Sequence, residues 1–259
     1  MVAIFSDKKA FIFQAVQDMY TDVATQPGKA FHFPTGRLAC LFVGYPPAEL
    51  DRVPAAATES FAGVGYPFAA GGIREGDTVL DIGSGAGTDT LIASALVGRS
   101  GTALGLDMTA AMRAKLQDNL AAMGATNVRV LEGNAEAIPL PDASVDVVTS
   151  NGVLNLVPDK ALAFSEIARV LKPEGRVQIA DIALGQPVSE KARLDPRLWA
   201  ECIVGAVVED QYVAWLRTAG LEVEILSRLD YFAGSISEST RRVAHGLGAH
   251  SIVLRGVKR

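Results

Sequence analysis

The sequence contains little cysteine and fewer basic than acidic residues. Cys40 and Cys202 are its two cysteines, too few for a disulfide framework. The 24 Lys and Arg residues are outnumbered by 29 Asp and Glu residues, which gives a net charge of −5. This balance disfavours nucleic-acid binding through phosphate neutralisation. We therefore expect a cytoplasmic protein without a nucleic-acid partner.

Long apolar runs are absent as well, although 49% of the 259 residues are hydrophobic. No segment approaches the roughly 20 consecutive apolar residues that a bilayer-spanning helix needs. The first residues mix charged and apolar side chains, unlike the apolar centre of a secretory signal. The composition favours a globular chain without a membrane span, either one domain or one domain with an appendage.

Three alternating glycines end an apolar run that carries one carboxylate. Residues 79–87 read Val-Leu-Asp-Ile-Gly-Ser-Gly-Ala-Gly. Glycine lets the backbone turn tightly and approach a ligand, and the helix that follows presents free N–H groups to the same space. The spacing differs from the G-x-G-x-x-G of dinucleotide-binding enzymes, no P-loop lysine follows, and Asp89 would repel phosphate. The segment predicts a nucleotide-like ligand other than a triphosphate; a strand-to-helix turn without a ligand is the alternative.

Strand-like and helix-like segments alternate after this loop. Such alternation favours a parallel sheet with helices on both faces and a ligand at the carboxyl ends of the strands. After residue 183 two helices and then two strands are expected, which fits a closing antiparallel pair. The predicted strands cover residues 79–82, 102–107, 128–131, 145–150, 177–182, 221–229 and 251–257, and the predicted helices cover residues 88–97, 109–123, 159–171, 197–207 and 211–219, with a turn at 172–175.

The first 70 residues differ in character from the rest. A helix is predicted around residues 4–20, and a stretch rich in Gly and Pro follows over residues 27–67. This part is too short and interrupted to predict an independent core. We therefore expect residues 1–70 to form a helical cap over the ligand-binding edge of the sheet in residues 71–259.

Five short motifs follow one another along the chain. They read Asp-Ile-Gly-Ser-Gly-Ala-Gly (81–87), Gly-Leu-Asp-Met-Thr (105–109), Glu-Ala-Ile-Pro-Leu-Pro-Asp (136–142), Ser-Asn-Gly-Val-Leu-Asn-Leu (150–156) and Leu-Lys-Pro-Glu-Gly (171–175). In this order they resemble class I S-adenosylmethionine-dependent methyltransferases, in particular the arsenite methyltransferase group and the neighbouring ubiquinone and menaquinone biosynthesis methyltransferases. The resemblance implies a Rossmann-like, doubly wound, mostly parallel seven-stranded sheet with an N-terminal helical cap, and a methyltransferase domain in residues 71–259.

The resemblance also implies a site for S-adenosyl-L-methionine. The loop glycines would hold the methionine part, Asp107 the ribose hydroxyls, and the loop at residues 134–136 the adenine. Asp107 as a helix cap and Asn134 as a turn residue are the alternatives. Carried over position by position, the cofactor-binding residues are Asp81, Gly83, Ser84, Gly85, Gly87, Asp107, Met108, Asn134, Ala135, Glu136 and Asn151.

The arsenic ligands are where the match fails. The family binds As(III) through three thiolates, because a soft centre prefers soft ligands. The corresponding positions are Val64, Gly152 and Cys202, so one thiol remains. We therefore expect a small, apolar or aromatic methyl acceptor and no metal. The alternatives are a methylated arsenical bound through Cys202 and a non-catalytic, cofactor-binding partner subunit.

Residues for the chemistry itself are harder to predict, and no catalytic base is assigned. His32 is the first candidate, because the cap could carry it over the site; a structural role is the alternative. The expected substrate pocket contains Tyr66, Asn155 and Cys202, with a buried structural cysteine as the alternative for Cys202. Aromatic residues of the cap either line this pocket or pack the cap onto the sheet; they are Phe31, Phe33, Tyr45, Phe61, Tyr66 and Phe68.

Overall fold

One sheet forms the centre of the molecule in the computed structural model, which describes residues 2–188 and 203–259, with side chains described from residue 9 onward. Its strands are β1 Thr78–Ile82, β2 Thr102–Asp107, β3 Val128–Glu132, β4 Val145–Asn151, β5 Leu171–Leu184, β6 Val207–Val208, β7 Leu221–Leu229 and β8 His250–Lys258. The spatial order is β3-β2-β1-β4-β5-β8-β7, and β6 pairs with β5. Strands β1 to β5 pair in parallel, whereas β8 runs antiparallel to β5 and β7. The predicted α/β fold with a mostly parallel sheet is confirmed.

Helices cover both faces of this sheet because its strands are apolar on both sides. Val79 of β1 belongs to the same apolar cluster as Leu91, whereas the next residue, Leu80, packs in the cluster of Phe164 on the other face. The helices are α1 Val2–Thr25, α2 Gly36–Phe42, α3 Pro47–Leu50, α4 Ala55–Glu59, α5 Thr88–Val97, α6 Ala110–Met123, α7 Lys160–Val170, α8 Glu209–Thr218 and α9 Glu238–Leu247.

The N-terminal part packs as a layer on the sheet domain. Helix α1 includes the predicted helix at residues 4–20 and lies against α6. Helices α2 to α4 occur in the stretch rich in Gly and Pro, where the sequence predicted no particular element. Their buried residues join the same apolar cluster as one face of the sheet. The division of the chain at residue 70 stays a prediction.

Three expectations about the elements need correction. Strand β5 begins at Leu171 rather than at residue 177, because Leu171 pairs with Val145 and the ladder resumes, shifted, at Arg176. The predicted turn at 172–175 is thus an irregularity within the strand, where Glu174 has a φ of 60°. The end of the predicted helix 197–207 is wrong, since Val207 is in β6; residues 189–202 lie outside the described residues. Helix α9 was not predicted at all.

Membrane insertion is not indicated by any helix in the described ranges. None of them combines the length and the apolar character that a bilayer span requires.

Candidate functional site

A cavity opens at the carboxyl ends of β1 to β4. Its walls come from the glycine loop after β1, the segments that follow β2, β3 and β4, and residues 57–63 before the sheet. Helix α1 contributes Phe13, Val16 and Tyr20 to the lining. The carboxyl ends of parallel strands meet at one edge, so residues far apart in sequence converge here. The cavity therefore lies where the alternating pattern predicted a ligand.

Steric contacts explain why the loop after β1 needs glycine. Gly83 and Gly87 have φ values of 73° and 101°, which favour glycine. A Cβ on Gly83 would lie 2.2 Å from Cγ2 of Val153, and one on Gly87 would lie 2.3 Å from Cδ1 of Leu116. Gly83 lines the cavity, whereas Gly87 lies outside the lining and lets α5 begin close to α6.

Two positions between these glycines leave room and bonding capacity for a ligand. A Cβ on Gly85 would meet only Met112 Sδ, at 3.9 Å. The buried Oγ of Ser84, which also lines the cavity, has no hydrogen-bond partner among the residues that the structure describes. A buried hydroxyl without a partner is costly unless a ligand or a water satisfies it. The loop thus offers a free hydroxyl and open space to the cavity.

Asp107 joins the glycine loop to the end of β2. Its carboxylate accepts hydrogen bonds from the N–H groups of Gly85, at 2.9 Å, and Thr109, at 2.8 Å. One oxygen thus fixes the loop, and the other orders the chain before α6. Asp107 and Met108 both line the cavity. Because an ionised carboxylate offers about four acceptor positions, Asp107 retains capacity for ligand hydroxyls.

The segment after β3 is divided between cavity and protein contacts. Asn134 and Ala135 line the cavity, and Oδ1 of Asn134 accepts the N–H of Glu136 at 2.9 Å, as a turn residue would. Glu136 does not line the cavity. Its carboxylate accepts the N–H of Asp159 at 2.8 Å and forms an ion pair with Lys9 of α1. Glu136 therefore connects helix α1 to the sheet domain.

Asn151 holds the segment before the sheet against β4. Its Oδ1 accepts the N–H groups of Val64, at 2.7 Å, and Gly65, at 3.2 Å. Its Nδ2 donates to the Gly65 carbonyl and the Tyr45 hydroxyl, both at 2.9 Å, and to Asp89 Oδ2 at 3.1 Å. Protein groups thus occupy both ends of this amide. Asn151 lines the cavity as a positioning residue.

Asp81 brings a buried carboxylate to the same edge of the sheet. It accepts hydrogen bonds from the hydroxyls of Thr90, at 2.6 Å, and Thr149, at 3.0 Å. Burial and then the charge of Asp89 raise its pKa to about 7. Burial likewise raises the pKa of Asp107. Both effects show how poorly this environment solvates negative charge.

Asp89, in the first turn of α5, is the third carboxylate of the lining. Tyr45 donates its hydroxyl to Oδ1, and Asn151 donates to Oδ2. Burial raises the pKa of Asp89 to about 6, although both hydrogen bonds oppose this rise. Among the described residues, the cavity is lined by Asp81, Asp89 and Asp107 but by no Lys, Arg or His. Its charge suits a cationic ligand.

Several predicted substrate or catalytic residues lie elsewhere. Tyr66 donates its hydroxyl to Glu49 at 2.7 Å, and Asn155 is buried beneath the loop after β4; neither lines the cavity. His32 packs edge-on against Phe33, with ring centroids 4.7 Å apart, also outside the lining. Cys202 lies outside the described residues.

The cavity also contains residues that sequence reasoning missed. Of the six cap aromatics, Phe61 lines it, and Tyr45 instead supports Asp89 from behind. Phe13 and Tyr20 reach the lining from α1. The helical signal around residues 4–20 was visible, but it does not specify which face meets the sheet. Asp89 follows the glycine loop in the sequence, and its negative charge was the feature that could have identified it as a lining residue.

Val64 and Gly152, which occupy two of the three positions where the resemblance implies thiolates, lie next to each other. A Cβ on Gly152 would lie 3.1 Å from Cγ1 of Val64, which is itself buried. Gly152 lines the cavity, and Asn151 fixes the Val64 backbone beside it. Val64 itself does not line the cavity, and neither of these two positions carries a soft ligand.

Comparison with known proteins gives consistent matches. The family described as "Methyltransferase domain" matches residues 73–220. An arsenite methyltransferase of Halobacterium salinarum is 39% identical over 176 residues, which cover 68% of this chain and 45% of that protein. A ubiquinone/menaquinone biosynthesis C-methyltransferase of Marinomonas sp. is 39% identical over 120 residues, covering 46% and 47% of the two chains. This chain thus spans about half the length of these curated relatives.

A solved structure is similar over a larger share of the chain. The arsenic(III) S-adenosylmethionine methyltransferase of Chlamydomonas reinhardtii superposes with a TM-score of 0.61 at 27% identity. The match covers 87% of this chain and 74% of the other. The similarity therefore includes more of the chain than the residues matched by the family pattern.

Proposed function

The chain belongs to the methyltransferase domain family, and on that premise we propose that it transfers the methyl group of S-adenosyl-L-methionine to a small apolar or aromatic acceptor. The observation that carries this proposal is a buried cavity with three aspartates and no cationic side chain among the described lining residues. Nucleotide phosphates would meet only negative charge there. A sulfonium and an ammonium group would instead offset the buried carboxylates.

The residues present fit this cofactor. The free Oγ of Ser84 and the open space at Gly85 provide a polar, unobstructed surface at the loop. We assign Asp81 and the loop from Gly83 to Gly85 to the methionine part, Asp107 to the ribose, and Asn134 with Ala135 to the adenine. When bound, the cofactor supplies a methyl group activated by the positive sulfur. Asn151 and Glu136 act on this site indirectly, through the segments that they hold.

The acceptor side of the cavity is apolar. Phe13 and Val16 of α1 lie on it, together with Phe61, Val153 and Leu156. In a direct displacement, the enzyme mainly has to align the acceptor and exclude water. None of the three histidines lines the cavity. We therefore assign alignment and water exclusion to these side chains, and no step to a histidine base.

A methylated arsenical acting through Cys202 is the second candidate, because several relatives bear the name arsenite methyltransferase. Val64 and Gly152 lack the thiols that three-thiolate binding of arsenite would require at these positions. Replacing the thiol in the variant Cys202→Ser separates the candidates. Unchanged turnover of an apolar phenol with this variant supports our proposal, whereas selective loss of arsenical turnover supports the second candidate.

The activity is tested with S-adenosylmethionine that carries a radiolabelled methyl group. The purified protein is incubated with panels of small phenols, quinols and methylated arsenicals, and label in each extracted acceptor is counted. We expect transfer to an apolar acceptor, and a loss of at least tenfold in Asp107→Asn. Asp142→Asn is the matched control, since that carboxylate is exposed and lies outside the lining. Cofactor binding without transfer to any acceptor would instead favour a non-catalytic partner subunit.

A further inference from the structure

Asp89 is held firmly inside the cavity by neutral groups. Tyr45 and Asn151 each donate to one of its carboxylate oxygens. Asn151 also donates to the Tyr45 hydroxyl at 2.9 Å, which closes a triangle of hydrogen bonds. These donors fix the position of the carboxylate and support its ionised form. They supply no positive charge, so the negative charge of Asp89 remains available to a ligand.

The charged groups that raise the pKa of Asp89 and of its neighbour Asp81 are carboxylates. Glu49 of α3 acts on Asp89, and Asp89 and Asp107 act on Asp81 of β1, in each case by like charge. Within the described ranges, neither Asp81 nor Asp89 forms an ion pair. A buried charge without a partner is unfavourable. A cationic ligand would therefore gain more here than a neutral ligand of the same shape.

An independent feature indicates that this cavity receives a ligand. The Oγ of Ser84 is buried, lines the same cavity and finds no hydrogen-bond partner within residues 2–188 and 203–259. Ser84 belongs to the glycine loop, whereas Asp89 belongs to α5. A hydrogen bond from the Ser84 hydroxyl to a ligand would not depend on the charge of that ligand. The charge of Asp89 therefore adds discrimination to a surface that binds by shape and hydrogen bonding.

We propose that Asp89 is the specificity-determining residue with which this cavity distinguishes a positively charged sulfonium cofactor from its neutral thioether product. The inference rests on the proposed function. Methyl transfer leaves the electrons of the carbon–sulfur bond on sulfur, so the product loses one positive charge and one methyl group. The attraction to Asp89 weakens at that moment, while contacts with the rest of the molecule persist. Asp89 thus favours binding of the donor and release of the product.

The preference should depend on pH in a defined direction. Burial raises the pKa of Asp89, so its carboxylate gains a proton on mild acidification. The preference for the sulfonium is therefore present above this pKa and is lost as the pH falls through it. The amino group of the ligand is protonated in both donor and product on the acidic side of neutrality, so it does not change their relative affinity there. The ratio of the two dissociation constants isolates the charge of the carboxylate pair Asp89 and Asp81.

The test compares wild type with Asp89→Asn, which keeps the shape and removes the charge. Dissociation constants for S-adenosylmethionine and S-adenosylhomocysteine are measured by calorimetry with the purified full chain at neutral pH. In Asp89→Asn we expect the affinity for S-adenosylmethionine to fall by about tenfold relative to the affinity for S-adenosylhomocysteine. Asp107→Asn is the matched control: it should weaken both ligands and leave their ratio within about twofold. An unchanged ratio in Asp89→Asn, with both ligands still bound, would overturn the inference and leave the proposed function intact.

A second variant keeps the test decisive if Asp89→Asn does not fold. Tyr45→Phe retains the charge and removes one donor to it. We expect the ratio to remain at its wild-type value in mildly alkaline buffer, and the pH at which the preference disappears to move upward. A ratio that is independent of pH in wild type and in Tyr45→Phe would refute the role of Asp89. Failure of wild type to bind either ligand would instead refute the proposed function itself.

Discussion

The two halves of the cavity are held in place by different interactions. The strand-end half comprises residues 81–89, 107–109, 133–135 and 151–153, and the cap half comprises residues 13–20 and 57–63. Directional hydrogen bonds fix the first: Gly83 and Ser84 donate their N–H groups to the Leu106 carbonyl at 2.7 and 3.0 Å. Apolar packing fixes the second, as where Val16 meets Leu156. Directional bonds define single positions, whereas apolar contacts tolerate repacking.

Under the proposed function, this difference suits the two halves to separate tasks. A methyl donor of constant chemistry requires fixed polar contacts, which the strand-end half provides. An acceptor that varies between relatives requires a wall that changes by substitution of apolar side chains. The polar attachments of the cap half to the sheet domain are single bonds spread along it, such as those from Gln17 Nε2 to the Met108 carbonyl at 3.2 Å, from Thr88 Oγ1 to the Ala57 carbonyl at 3.0 Å and from Lys115 Nζ to Ser60 Oγ at 2.9 Å. We therefore expect substitutions in the strand-end half to have the larger effects.

The largest effect is expected for Gly83→Ala. The new Cβ would clash with Val153 at 2.2 Å, and the φ of 73° would be strained. Together these should cost about 3 kcal/mol and weaken S-adenosylhomocysteine binding by about 100-fold, measured by calorimetry. Gly71→Ala is the control, because its φ is 63° but no atom lies within 4 Å of the new Cβ. Equal effects of the two substitutions would contradict a steric requirement in the loop.

Asn151→Leu should have the next largest effect, on stability. The substitution leaves buried groups of residues 45, 64 and 65 without their partner. We expect a loss of about 2 kcal/mol in the free energy of unfolding, measured by urea denaturation. Gln14→Leu on α1 is the control, since its bond to Asp18 is exposed and its loss should cost less than about 0.5 kcal/mol. A similar loss in both variants would mean that Asn151 does not hold residues 45, 64 and 65 in place.

A smaller effect is expected when the ligand-free protein is titrated. Burial raises the pKa of Asp81, Asp89 and Asp181 above their ordinary values, so these groups favour the folded state when they are protonated. The free energy of unfolding should therefore fall by about 1–2 kcal/mol as the pH rises from about 4 to about 7. Asp89→Asn should flatten this dependence in urea denaturation series. A pH dependence that is the same in wild type and in Asp89→Asn would contradict the raised pKa of this carboxylate.

The smallest effect is expected in the cap half, for Lys9→Met. This change removes the ion pair that joins α1 to Glu136, where the lysine is partly exposed. We expect S-adenosylhomocysteine to dissociate a few times faster in stopped-flow measurements, in line with about 0.5–1 kcal/mol for such a pair. Lys29→Met is the control, because Lys29 pairs with Asp22 within the cap. If dissociation does not change in Lys9→Met, α1 does not restrain the ligand.

The contrast between the two halves also explains which parts of the fold and of the site could be predicted from the sequence. The glycine loop, Asp107 and the strands were predictable because local spacing and periodicity encode them. The roles of Asn151 and Glu136 were not, since these depend on partners such as Val64 and Lys9 that are distant in sequence. The lining by α1 depends on how that helix is oriented, which no local pattern specifies. His32 and Tyr66 were reasonable candidates by position, but their rings pack within the cap.

The central claim is that the strand-end half binds a cationic nucleoside and rejects phosphates. Calorimetric titration of the purified protein with S-adenosylmethionine and, separately, with ATP tests it most directly. The account predicts saturable binding of S-adenosylmethionine with one site per chain and no measurable heat of binding with ATP. Tighter binding of ATP, or no binding of S-adenosylmethionine, would contradict it.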